Sequence, residues 1–83
     1  MKDRESNVED YQPIACALHD EYEIAIMHKS ILQLQWHDED GSLHRSRVLP
    51  VDIRAQDGAE YLLVKEPGDE AVQWIRLDRI KVL

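Results

Sequence analysis

The period of apolar and polar positions changes near residue 30. Upstream, Leu18, Tyr22, Ala25 and Ile26 fall on one arc at about 100° per residue, the helical period. Tyr22, Ile24 and Ile26 also alternate as in a strand, so the pattern alone reads two ways. Residue type decides between them. Glu, Ala, Met and Lys favour helix. Asp20 and Glu21 come early while His28 and Lys29 come late, the order that complements a helix dipole. The reading is a helix over 18–29.

Downstream the period is two. Leu32, Leu34 and Trp36 interleave with Gln33, Gln35 and His37, which predicts a strand over 30–37. Asp38-Glu39-Asp40-Gly41 is an acidic turn of a kind that suits a hairpin. The return strand is placed at 43–49, with Arg45 and Arg47 facing solvent and pairing with acids on neighbouring strands. Pro50-Val51-Asp52-Ile53 reads as a break or short turn, and Gln56-Asp57-Gly58 as a second turn. Strands follow at 59–65, 71–76 and 79–82, separated by the turn Glu66-Pro67-Gly68-Asp69 and the tight corner Leu77-Asp78-Arg79.

One helix and then about five short antiparallel strands, with turns at small-barrel spacing, predict a mostly β fold. The most economical form is a small Sm-like antiparallel barrel sealed by the N-terminal α-helix. Residues 1–10 are polar and read as a flexible arm. Residues 11–83 read as a single domain, with Tyr11 and Ile14 anchoring its start and Pro13 keeping Gln12 extended.

Charge narrows the function. Seventeen acids against ten bases give −7 over 83 residues. Neutralising phosphates needs a basic patch, so direct binding to nucleic acid or an anionic membrane is disfavoured and a basic partner is favoured. Residues 9–23 hold Glu9, Asp10, Asp20, Glu21 and Glu23 with no Lys or Arg, a local charge of −5. With Cys16 the single cysteine, no internal disulfide forms, which fits a cytoplasmic protein. The polar start has no signal-peptide pattern, and no apolar run approaches the ~20 residues of a membrane span.

Candidate chemistry is sparse. His19, His28, His37 and His44 lie at irregular spacings without a HExxH or paired CxxC pattern, so they read as solvated side chains and no metal or cofactor is expected. Cys16 lies between Ala15 and Ala17 and reads as a small buried packing residue. The acidic turn lacks the EF-hand pattern and reads as solvated. Trp36 and Trp74 read as core or barrel-rim packing. Nothing pairs a nucleophile with a base, so the chain reads as a binding protein and not an enzyme.

Three blocks in order resemble the Rof family, small inhibitors of the transcription terminator Rho. They are Tyr11-Gln12-Pro13-Ile14 with Cys16, then Glu60-Tyr61-Leu62-Leu63-Val64, then Arg76-Leu77-Asp78-Arg79-Ile80. The resemblance covers about residues 11 to 81. It implies an Sm-like barrel preceded by a helix. It also implies binding to the RNA-binding N-terminal domain of Rho, exclusion of RNA and hence antitermination.

Such docking needs a face on the helix. If Leu18, Tyr22, Ala25 and Ile26 face the barrel, the opposite arc holds Asp20, Glu23, Ile24 and Met27. Carboxylates there would meet Lys or Arg, and the apolar pair would form the central contact. Glu21, Asp10 and Tyr11 complete the predicted partner-binding set. A free monomer is expected. The alternative reading is a self-assembling Sm-like RNA-binding module, which the net charge opposes.

Overall fold

Why the helix forms where it does follows from its two ends. The computed structural model describes residues 11–83, in which α1 runs Cys16–His28. Ala15 holds the cap position in an extended conformation, and its carbonyl accepts from the N–H groups of Leu18 and His19. The helix therefore starts two residues before the predicted 18. Asp20 and Glu21 then lie beyond the first turn, which contains no acid, so the dipole argument made for them does not apply. At the other end Lys29 adopts a left-handed conformation with φ 55. The N–H of Ser30 reaches the carbonyl of Ala25 at 2.9 Å and that of Lys29 reaches Ile26 at 3.3 Å, a Schellman closure.

Five antiparallel strands follow: β1 Leu32–His37, β2 Leu43–Gln56, β3 Ala59–Lys65, β4 Val72–Arg76 and β5 Ile80–Val82. They form one sheet in the order β4-β3-β2-β1-β5, with the 3₁₀ turn Leu77–Arg79 carrying the chain from β4 to β5. The predicted class, strand number and direction hold. A closed barrel does not form, because β4 and β5 remain the two edges of the sheet.

The bend that wraps this sheet corrects one reading. Pro50-Val51-Asp52-Ile53 is no break: all four residues lie inside β2, which spans 14 residues. Its pairing with β3 slips between Pro50 and Asp52, a bulge that leaves Val51 unpaired in the ladder and exposed. Proline has no N–H to donate, and a bulge is where a strand tolerates it. The result is one long strand serving two neighbours, β1 through Leu43–Val48 and β3 through Leu49–Gln56. At its end Asp57 and Gly58, at φ 54 and 86, make the two-residue hairpin turn whose backbone needs positive φ at both positions.

The core is Tyr22, Leu34, Trp36, Val48, Leu62, Val64, Ile75 and Leu77. Leu18 and Ile26 pack against it, so the predicted inner arc of the helix is the observed one. Two apolar expectations fail. Cys16 is exposed, because the early helix start puts it in the first turn, away from the core. Trp74 is 42% exposed: Ile75, its neighbour on β4, faces inward, so the alternation of a strand turns Trp74 out. Arg54 covers part of it, with the guanidinium carbon 5.1 Å from the ring centre.

Tyr22 seals the helix onto the sheet with a fault. Its hydroxyl is buried with no hydrogen-bond partner among the described residues. Burial, then the nearby Glu21 charge, push the phenol up to about 12. Because the folded state holds this proton more tightly than the unfolded chain does, its stabilisation is complete below about pH 10 and is lost as pH rises toward 12. An unpaired buried hydroxyl costs about 1–3 kcal/mol. Tyr22→Phe is therefore expected to raise the melting temperature at pH 7; a lower one would show that the hydroxyl is bound in solution.

Candidate functional site

The outer face of α1 is built by helical spacing alone. Asp20, Glu23, Ile24 and Met27 stand at i, i+3, i+4 and i+7, and all four are exposed. Ile24 is 54% and Met27 71% accessible, large values for apolar side chains on a small domain. The structure thus brings together four of the seven predicted partner-binding residues. Glu21 is exposed about 100° round the helix from Asp20. Asp10 lies outside the described residues.

The sheet adds residues to this face that no sequence period indicates. Glu23, Ile26 and Met27 share an open groove of about 400 Å³ with Asp52 and Ile53 of β2. The bulge at Pro50 sets the register that places Asp52 there. Asp52 is exposed, and Arg54 approaches it only to 3.7 Å. The groove therefore has an apolar floor and two carboxylates, Glu23 and Asp52, at its rim.

Tyr11 anchors the start of the domain, as expected. It sits half-buried in a clasp and not on the docking arc. Its hydroxyl donates to Glu60 at 3.4 Å, and Arg76 lies over its ring at 5.6 Å. The next residue, Gln12, donates its backbone N–H to Asp78 at 3.0 Å. Asp78 in turn receives both Nε and Nη2 of Arg76, at 2.9 and 2.7 Å. Together these bonds fasten the start of the domain to β3 and to the 3₁₀ turn.

Burial raises the Asp78 carboxyl, but the Arg76 guanidinium and the Gln12 N–H outweigh it and hold the group below the usual carboxylate range. Its contribution is present above that range and is lost as pH falls through the lowered value. Asp78→Asn is expected to cost about 1–3 kcal/mol at pH 7. The gap between variant and wild type should close in acid, and equal unfolding curves at pH 7 would remove the clasp from the account.

The histidines divide. His28 and His37 are exposed as expected. His44 stacks on Trp36, with ring centres 5.5 Å apart, and pairs with Asp38. His19 stands between two carboxylates, with Nδ1 3.7 Å from Glu23 and Nε2 3.7 Å from Glu60. Only His19 departs from the expected solvated state: it is half-buried, with one carboxylate from the next helical turn and one from another element, whereas His44 stays exposed. Arg45 also departs from its expected acidic partner: it donates to Gln35 across the β1–β2 ladder at 2.8 Å. In the acidic turn, Asp40 accepts the Ser42 N–H at 2.9 Å, a bond that lowers its carboxyl.

No helix among the described residues is long and apolar enough to cross a membrane. No family model, no curated protein and no solved structure matches this chain.

Proposed function

We propose that this chain is a Rof-type inhibitor of the transcription terminator Rho, acting by occlusion. One observation carries the reading: Ile24 and Met27 lie open on α1 between the carboxylates of Asp20 and Glu23, with Asp52 extending the acidic rim. An apolar centre inside a charged border is the anatomy of a protein interface, and its sign suits a basic surface. The three sequence blocks that resemble Rof supply the identity of that surface, the RNA-binding N-terminal domain of Rho.

In this reading the carboxylates occupy the positions where RNA phosphates would bind. Ile24 and Met27 exclude water from the contact, which strengthens the charge pairs around them. The clasp at Tyr11 fixes the start of the domain and does not itself dock. Nothing is turned over: the protein is a cytoplasmic inhibitor that binds as a monomer and releases intact. Residues 9–23 alone carry −5, which speeds encounter with a basic partner.

Occlusion predicts competition. Capture of purified Rho by the immobilised protein should fall as RNA is added, and should weaken steeply with salt, because steering is screened over ~8 Å at physiological ionic strength. Capture that ignores both saturating RNA and high salt would defeat the proposal.

A further inference from the structure

We propose that His19, Asp20 and Glu23 form a binding site for a divalent transition-metal ion of the zinc type, with Glu60 orienting the histidine from behind. The site itself does not rest on the docking reading, and its test needs no partner.

One imidazole nitrogen and one oxygen from each carboxylate lie within 4.8 Å of one another. His19 and Glu23 are one helical turn apart, and Nδ1 stands 3.7 Å from Oε2. Ligands at 2.0–2.2 Å from a tetrahedral ion sit about 3.4 Å from each other. That pair is therefore near chelating distance on a rigid backbone, and Asp20 needs only a side-chain adjustment to join it. Three protein ligands leave the fourth position for water. A nitrogen donor favours zinc and its neighbours over magnesium or calcium, which take oxygen ligands.

The support behind the histidine separates this group from a chance acidic patch. A ligating histidine usually directs its other ring N–H to a carboxylate, which fixes the tautomer and raises the basicity of the ligating nitrogen. For His19 the nearest such group is Glu60, on a different element, β3: its Oε2 stands 3.7 Å from Nε2, beyond hydrogen-bond distance, so a small side-chain shift is needed to close that bond. Glu60 is itself held, since its Oε1 accepts the Tyr11 hydroxyl. His19 is only 26% exposed at its side chain, so its ring has few alternative positions. The chain Tyr11–Glu60–His19 thus leaves Nδ1 directed toward Glu23. When the ion binds, Nδ1 gives its lone pair and any proton it carries goes to solvent.

The experiment is calorimetric titration of the metal-free protein with zinc chloride, together with nitrogen NMR of the imidazoles. The expected result is one ion per chain and a zinc-dependent shift of His19 Nδ1. His19→Ala and Glu23→Gln should each weaken binding at least about tenfold. Glu60→Gln should weaken it by about 10–100-fold while keeping the stoichiometry, the mark of an orienting group. His28→Ala, on the same helix, should bind as wild type. Circular dichroism of each variant checks the fold. The proposal is overturned if His19→Ala titrates like wild type, or if millimolar zinc leaves the His19 signal in place.

Discussion

The double variant Asp20→Lys/Glu23→Lys is expected to lose capture of Rho by about 100-fold or more. Close charge pairs across protein interfaces couple by about 1.5–7 kcal/mol, and each reversal replaces attraction with repulsion. Two of them at the lower bound exceed 2.8 kcal/mol, which is about 100-fold. Both carboxylates are exposed, so the fold should tolerate the change within about 0.5 kcal/mol per site. The loss should appear mainly in association rate at low salt and shrink as salt rises, because screening removes steering first. Met27→Ala should act differently, speeding dissociation with little effect on the salt slope. A folded double variant that captures Rho as well as wild type would take α1 out of the mechanism.

Leu62→Ala should be the most damaging single truncation. Leu62 is fully buried on β3, paired with Ile53 of β2 on one side and Ile75 of β4 on the other. Emptying such a site costs about 2–5 kcal/mol. A domain of this length has few layers to redistribute the strain, and about 5–15 kcal/mol is the whole stability of a typical fold. At roughly 4–8 °C per kcal/mol the melting temperature should fall by roughly 8–40 °C. Leu63, the next residue, faces the other side of the sheet and is only half-buried. Leu63→Ala should therefore cost much less, and equal losses in denaturant melts would mean that the assigned inner face of β3 is wrong.

Strand alternation makes that comparison possible, and it was readable in the sequence. Leu34, Trp36, Leu62 and Val64 alternate with polar or half-buried neighbours, and each is buried. The rule was not carried through at β4, where Trp74 was read as core or barrel-rim packing without asking which phase of the strand it shares with Ile75. Two adjacent strand residues cannot share a face, and the large aromatic ring lost to the smaller Ile75. The clue was present in the spacing, but nothing in the sequence says which of the two phases meets the core.

The candidate site was half legible for a similar reason. A helix puts residues 20, 23, 24 and 27 on one face whatever surrounds it, so that arc follows from numbering once the helix is granted. The acidic rim residue Asp52 and the pairing of His19 with Glu60 were not legible. They depend on where β2 bulges and on how α1 lies across β2 and β3. Tyr11 was read both as an anchor and as part of the docking set; the anchoring partners, Glu60 and Arg76, are 49 and 65 positions away in the chain and so could not be named from the sequence.

What the sequence determined by itself is therefore local and periodic. It set one helix, five strands, the Asp57-Gly58 turn whose backbone calls for positive φ, and an acidic arc with two exposed apolar residues. Each of these follows from interactions within a few residues, where propensity and period act directly. Tertiary structure decided which strand phase faces inward, that Pro50 bends a strand instead of ending it, that the sheet keeps two open edges, and that Cys16 is exposed. It also placed His19 between two carboxylates. These outcomes turn on contacts between segments far apart in the chain, where burial of apolar surface outweighs any local preference.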